Sequence, residues 1–330
     1  MINVFPVIIK MNQIWRGQMN KNDLIKKMYE SLGESHKHGP DVAHVEIHQN
    51  KVLGLHLVEG LHIKAKELKK GIEAEIVVEK NVKIEKPVKI CFGMIPEKGI
   101  QEIILHTTIQ DNAAVGIVAS CTFPFAKEVI HSMEAELTIG KNAQYSYIER
   151  HVHGPQGGVK VIPKARVHLK EGARFRTDFE LIKGMVGDID IDYKALCEAK
   201  SILEMNARVS GRGRDIIKIN EQASLEGIDA RGVLTTNIAV REQAQAIIKN
   251  TLIAKAAGAR GHVDCKEIVQ DQGVAKAIPV VEVQHPKAHV THEAAIGSVD
   301  SKQLETLMAR GLNEDDATDL IIEGLLNPHS

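Results

Sequence analysis

Residues 111–182, DNAAVGIVASCTFPFAKEVIHSMEAELTIGKNAQYSYIERHVHGPQGGVKVIPKARVHLKEGARFRTDFELI, carry a repeated unit. The turn-like DNAAV, KNAQY and EGARF set Ala113, Ala143 and Ala173 thirty residues apart. Each is followed by a strand-like run: GIVASCT, SYIERH and FRTDFELI. Asn and Gly supply the turn, and alternation of apolar with polar residues supplies the strand. One turn signal at constant spacing is the mark of stacked repeat units. A later Ala257-Gly258-Ala259-Arg260 and a Gln222-Ala223-Ser224 fall outside that thirty-residue register.

The same texture extends on both sides, from Val42 to about Val299. Short alternating runs such as HVEIH, EAEIVVE and DIIKIN are separated by Gly, Asn and Pro. Only AVREQAQAIIKNTLIAK (239–255) is rich in helix formers, and it too contains strand runs. Aromatic residues make up 3 % of the chain, while Val, Ile and Ala are plentiful. Thin, repetitive β layers filled by branched aliphatics suit that composition, so the expected class is mainly β, a solenoid or a jelly roll.

The flanks are helical. Asn22 is the expected cap of an amphipathic helix from Asp23 to Leu32, stopped by Gly33. The following GESHKHGPD reads as a linker with solvated His36 and His38. After Val299, Asp300 and Gln303 form a capping-box-like start to a helix through Arg310, which Gly311 ends. Asn313 then caps EDDATDLIIEGLL, whose acids crowd the first turn as the helix dipole favours, and Pro328 follows. The expected division is therefore 1–40, an N-terminal helical segment; 41–299, a β core; and 300–330, a C-terminal two-helix tail.

With 42 basic and 43 acidic residues among 330, no surface is built for nucleic acid or anionic lipid. Cys91, Cys121, Cys197 and Cys265 lie far apart with no C-x-x-C, so neither a disulfide framework nor a self-contained four-cysteine cluster site is expected. The opening MINVFPVIIKMNQIWRGQM lacks a basic n-region and a cleavage site. No run approaches the ~18–20 apolar residues of a membrane span. A cytoplasmic protein is expected, and Met11 and Met19 are alternative starts. Nucleotide motifs fail: Gly140-Lys141 is followed by Asn142, and GRGRDI places Ile216 where a third small residue belongs. His292-Glu293 is not followed by the second His of a zincin, since residue 296 is Ile. No G-x-S-x-G occurs either. Any ATP chemistry is expected in another chain.

Two clusters bear on chemistry. Glu149, His151 and His153 in IERHVHG share one side of a strand and so converge on a single metal position, the nucleus of a cupin-like metalloenzyme site. The downstream Glu of a cupin is missing, and surface histidines at a strand end are the simpler reading. The second cluster lies in residues 261–300, GHVDCKEIVQDQGVAKAIPVVEVQHPKAHVTHEAAIGSVD, with Cys265 and four of the sixteen His. Thiolate, imidazole and carboxylate together are what iron or zinc chemistry draws on. On a strand, His262 and Cys265 face opposite sides, as do the neighbours His292 and Glu293. One subunit thus offers an incomplete ligand set, which a two-fold interface would complete. Taken alone, a single Cys in a β core is more often buried and inert.

H-x-x-C at 262–265, P-x-x-x-V at 279–283 and A-x-x-x-H-E-A at 288–294 stand in order, with Asp264 inside the first and Glu282 inside the second. The tail SKQLETLMARGLNEDDATDLIIEGLL follows, matching Q-L-x-x-L-x-x-R-G-L/I and a final helix, with Ser301 at the position of the pattern's leading D/E. This pattern resembles the SufB/SufD family of iron–sulfur cluster assembly scaffolds, over roughly Val159 to Leu326. The resemblance implies a right-handed parallel β-helix and side-by-side pairing of two such bodies. It also implies C-terminal helices that bind SufC, an ABC-type ATPase. Cys265, His292 and Glu293 are the implied metal residues, for a transient 4Fe–4S or 2Fe–2S cluster passed to recipient apo-proteins. Possession of both Cys265 and the H-E pair is SufB-like, and one sequence owning both implies a homodimer. The chain is shorter than a typical SufB, and Thr291 stands where many have an acid. A cupin-like metalloenzyme and a structural β-solenoid adaptor are the competing readings.

Overall fold

The computed structural model describes residues 20–327. The chain enters through α1 (Lys21–Leu32), capped by Asn20, whose side chain accepts a hydrogen bond from the amide of Asp23. The cap is thus Asn20 rather than Asn22, which lies within the first turn. Gly33 closes the helix in the left-handed conformation at φ 71°. Met28 and Tyr29 bury themselves against Leu53, Cys91 and Ile95. His38 is no solvated linker residue: its Nε2 lies 3.0 Å from the Tyr29 hydroxyl and its ring packs on His44.

Strands then follow one another without an intervening helix. The first five are β1 (His44–His48), β2 (Lys51–His56), β3 (Leu61–Glu67), β4 (Gly71–Val78) and β5 (Val88–Gly93). Next come β6 (Lys98–Ile109), β7 (Ala114–Phe123), β8 (Glu128–Ile139), β9 (Gln144–His153) and β10 (Val159–Leu169). They continue as β11 (Arg174–Lys183), β12 (Gly187–Cys197), β13 (Ile202–Gly211), β14 (Ile216–Leu225) and β15 (Arg231–Val240). The last are β16 (Gln245–Ala254), β17 (Arg260–Val269), β18 (Val274–Val283) and β19 (His289–Gly297). Two helices close the described chain, α2 (Ser301–Met308) and α3 (Glu314–Leu326). The helix-rich 239–255 is the end of β15, a turn and β16, because inward-pointing Ala246, Ile248 and Leu252 are buried at the strand period.

Odd-numbered strands from β5 to β19 stack in parallel in one sheet, even-numbered strands from β4 to β18 in the other. The result is a β-solenoid of about eight turns, with 58 % of residues in strands. The parallel β-helix is thereby present, and the jelly-roll alternative falls away. Inward positions of both sheets, mainly Val, Ile, Leu and Ala, form one continuous core.

Commensurate corners make this stacking possible. Asn112, Asn142, Gly172, Lys200, Asp229 and Gly258 all adopt positive φ, between 55° and 71°. Each donates its amide to the corner of the next coil: Asn112 to Lys141 O, Asn142 to Glu171 O, Gly172 to Ala199 O, Lys200 to Ile228 O, Asp229 to Ala257 O and Gly258 to Lys287 O, at 2.8–3.2 Å. The following residue points inward and is Ala113, Ala143, Ala173, Ser201, Ala230 or Ala259, each at most 1 % exposed. Ala257-Gly258-Ala259 therefore does occupy the repeat, contrary to the sequence reading. The period shortens after Ala173, so a rigid thirty-residue ruler misses it. Gln222-Ala223-Ser224 lies inside β14 and is no corner.

The two ends differ. Antiparallel partners fold back at the start, β2 on β1 and β3 on β4. At the other end β18 and β19 are the last strands of their sheets, with no strand beyond either among the described residues. The tail does not cap that end. Ile322 and Leu326 of α3 pack with Ala239, Val299 and Ile268 against the outer side of the odd-numbered sheet. Asn237 Nδ2 donates to Leu325 O at 3.2 Å, and Arg241 pairs with Asp319. Both tail helices start as the sequence indicates, with Asp300 and Asn313 accepting the amides of Gln303 and Asp316 at 2.8 Å. Pro328 lies outside the described residues, as do Met11 and Met19. No helix among the described residues is long and apolar enough to cross a membrane.

Gly158 sits at φ +79° with a would-be Cβ 2.5 Å from the backbone oxygen of Lys127, which cannot move without breaking a coil contact. Gly158→Ala is expected to cost on the order of 1–3 kcal/mol. Asn142→Gly, at a left-handed corner that already suits glycine, should cost less than 1 kcal/mol by rough estimate. Thermal melts of the two variants beside the parent check the contrast.

Candidate functional site

The last coils bring together most of the residues of the second cluster. Along β17, Val263, Cys265 and Glu267 are buried and point into the solenoid, while His262, Asp264 and Lys266 point out. Cys265 is 0 % exposed, beneath Asn250, whose Nδ2 donates to its Sγ at 3.6 Å and to Thr236 Oγ1 at 2.7 Å. Parallel register carries these rows onto β19: Val263 aligns with His292, Asp264 with Glu293, Cys265 with Ala294 and Glu267 with Ile296. His292 thus belongs to the inward row set that holds Cys265, and Glu293 to the outward one. Both are exposed, because β19 has no neighbour to cover it. On the outer face His262 Nδ1 lies 2.8 Å from Thr291 Oγ1, and Lys266 Nζ donates to Asp264 Oδ2 at 2.8 Å.

Burial pushes the Cys265 thiol up to about 12, and the Glu267 carboxylate adds to the shift. The resting group is a neutral thiol, and a metal is what would displace its proton. Glu267 itself is buried with both carboxyl oxygens unpartnered, and burial, then Asp264, raises it to about 7. Deeper in the same interior, Glu221 is raised by burial to about 8. The sequence reading passed over Glu267, Asn250 and Glu221. Glu267 was accessible to it, since position i+2 from Cys265 shares its face.

The first cluster lies elsewhere. Glu149, His151 and His153 are all buried on the inner side of β9, not at a surface strand end. His151 Nε2 is 2.7 Å from Glu149 Oε1, and its Nδ1 is 3.2 Å from His153 Nε2. Register sets Cys121 beside His151 and Ala119 beside Glu149 on the preceding coil, and β8 presents His131 from the opposite sheet. Burial pushes His131, His151 and His153 each down to about 3, raises Glu149 to about 7 and carries the Cys121 thiol well above its ordinary value. A solenoid in place of a closed barrel removes the cupin reading. Cys121 and His131 were missed, although the thirty-residue repeat read at Ala113 and Ala143 takes Cys121 directly onto His151.

Comparison with known proteins turns these positions into a family assignment. The family model described as SUF system FeS cluster assembly, SufBD core domain, matches residues 98–325. An iron-sulfur cluster assembly SufBD family protein of Methanocaldococcus jannaschii is 35 % identical over 291 residues, 88 % of this chain and 91 % of that protein. The chain belongs to the SufB/SufD family. A SufBD family protein of Pyrococcus horikoshii is 33 % identical, covering 92 % of this chain and 95 % of its own length. The iron-sulfur cluster assembly protein SufB of Bacillus subtilis is 24 % identical over 67 % of this chain and 48 % of its own length. A role in iron–sulfur cluster assembly follows from membership.

Glu221 supplies a pH test. Its folded-state value lies above the ordinary 4.5, so its contribution to stability is full below that value and is lost as pH rises to about 8. Glu149 and Glu267 shift in the same direction. Glu221→Gln should therefore make the decline in melting temperature between about pH 5 and 8 shallower without abolishing it. Differential scanning fluorimetry across that window checks it, and an unchanged slope would count against the assignment.

Proposed function

We propose that this SufB/SufD family member is a scaffold on which an iron–sulfur cluster is built between two copies of the chain, driven by an ABC-type ATPase in a separate chain. The observation that carries the reading is that, among the described residues, both sheets stop uncapped at the coil bearing His292, one strand above Cys265. Unpaired strand edges are a template for pairing with another chain. Val274, Val283 and Ile296, 56 %, 48 % and 47 % exposed, would be covered by such pairing. A two-fold axis there brings each residue in twice, so that Cys265 of one protomer faces His292 of its partner. Thiolate is the preferred iron–sulfur ligand, and imidazole a known second. The 4Fe–4S or 2Fe–2S cluster is cargo, released to recipient apo-proteins. Glu293 ranks below the other two, because a rearrangement has to turn it inward before it reaches the same face. The structural-adaptor reading lacks any use for a thiol one strand beneath an open edge.

The tail supplies the proposed ATPase contact. No side chain of α2 is buried, and Met308 and Leu320 expose 42 % and 47 % of their surface. α3 is fixed through Asn237 and Arg241 to β15, the strand next to β17. Force applied to the tail by a nucleotide-driven partner would pass through β15 to the coil that holds Cys265.

Two variants separate assembly from ligation. Ile296→Lys should yield a monomer by light scattering and lose iron and sulfide after anaerobic reconstitution. Cys265→Ser should remain a dimer with an unchanged circular dichroism spectrum and still lose them. Unaltered iron and sulfide in Cys265→Ser would refute the site.

The double variant Met308→Glu, Leu320→Glu should lose most of its capture of a co-expressed SufC-like ATPase in a pull-down while keeping its melting temperature. Undiminished capture would place the ATPase contact elsewhere.

A further inference from the structure

Halfway along the solenoid, away from the open end, four side chains from three strands converge: Cys121 of β7, His131 of β8, and Glu149 and His151 of β9. Each offers one ligand atom, and these atoms lie within 4.8 Å of one another. All four residues are at most 3 % exposed. Polar groups in so dry a place are normally paired, since an unpaired one costs roughly 1–3 kcal/mol. Here His131 Nδ1 has no hydrogen-bond partner, and Glu149 Oε2 has none of good geometry, although the Tyr147 and Tyr193 hydroxyls lie near the carboxyl and Tyr147 donates to Met133 Sδ. An apolar set of the same shape would stabilise the coil better, so the protein-only account leaves these groups unexplained.

We propose that Cys121, His131, Glu149 and His151 hold a resident divalent transition-metal ion, of the Zn²⁺ or Fe²⁺ type, inside the solenoid and separate from the cluster cargo at Cys265. Thiolate, carboxylate and two imidazoles are a four-ligand set for such an ion. The charges cancel: one thiolate and one carboxylate against a dication leave a neutral unit, the form a low-dielectric core tolerates. Binding releases the proton of the Cys121 thiol and any proton held by the Glu149 carboxyl, and both leave through solvent during folding or opening of the coil. His153 is a positioning residue. Its Nε2 lies 3.2 Å from His151 Nδ1, so it can accept that N–H and leave His151 Nε2 unprotonated, able to exchange its contact with Glu149 Oε1 for the ion. Phe123 and Phe179 pack at 5.0 Å ring-centroid distance against His131 and His151 respectively and exclude water. No coordination position is left facing solvent, so the ion ties adjacent coils together and turns over nothing.

The test uses the full chain with Co²⁺ as the probe. Metal-stripped protein is warmed with Co²⁺, freed of excess by a chelating column, and read by visible absorption and elemental analysis. One retained ion per chain with a thiolate–cobalt charge-transfer band is expected in the parent and, unchanged, in Cys265→Ser. The band should vanish in Cys121→Ser, and the metal-dependent rise in melting temperature should vanish in Glu149→Gln. Failure of the parent to retain Co²⁺, or loss of the band in Cys265→Ser, would overturn the proposal. An unaltered band in Cys121→Ser would do the same. Should Cys121→Ser not fold, the Cys265→Ser protein decides alone, because it leaves the interior untouched. Cluster reconstitution at Cys265 is read separately, as sulfide content, so the two sites fail or stand independently.

Discussion

A left-handed residue at each corner, with its amide bonded to the corner of the next coil, is the constraint on which the remaining structure depends. Strand ladders alone fix register along a sheet, but they do not oblige two sheets to advance in step. Repeating the same bend at Asn112, Asn142, Gly172, Lys200, Asp229 and Gly258 does so. It also dictates composition, because the residue after each bend points into the tightest part of the interior. From Asn112 to Gly258 only Ala or Ser occupies it. Side chains in neighbouring coils then fall into rows, and a row is the unit in which this fold places chemistry.

Stacking of this kind has no natural end. Each coil satisfies the one before it and presents new unpaired amides, carbonyls and apolar side chains to the next. The chain deals with its two ends differently. Hairpin strands β2 and β3 turn back and close the first coils, whereas β18 and β19 are left open while the tail folds onto a flank. Selection against aggregation ordinarily works against such an edge. Under the function proposed above, an edge kept open directly above Cys265 is the unfinished half of an interface rather than a defect.

Much of this was legible in the chain itself. Period-two alternation, a turn signal every thirty residues and scarce aromatics point to stacked β coils, and the capping residues Asp300 and Asn313 locate the starts of the tail helices to the residue, although the first ends at Met308 rather than Arg310. What escaped detection has physical causes. Ala259 was lost because the coil shortens after Ala173, and a fixed ruler cannot follow a period that the corner geometry allows to vary. Asn20 was passed over for Asn22 because both can cap and only the position of the first helical amide decides between them. The buried state of Glu149, His151 and His153 ran against the ordinary association of charge with solvent. Alternation says which side of a strand a residue faces, but not which side is the core when polar residues occupy both.

That last ambiguity bears on why a solenoid can carry polar groups in its interior at all. In a globular core every residue touches elements from across the fold, so one unsatisfied carboxyl weakens the whole. Here stability is close to a sum over coils and their nearest neighbours. The cost of Glu149 or Glu267 stays within one or two coils and is offset by long aliphatic rows, such as Ile191, Ile219 and Ile248. Chemistry can accordingly be written into a few rows while the others keep the body folded. The row through Thr236 and Cys265 lies one coil from the open edge, where a second chain can complete it. The row through Cys121 and His151 lies deep between coils, where only ligands from the chain itself can meet. Depth along the stack, more than identity of the residues, separates a place suited to transient cargo from one suited to a permanent ion.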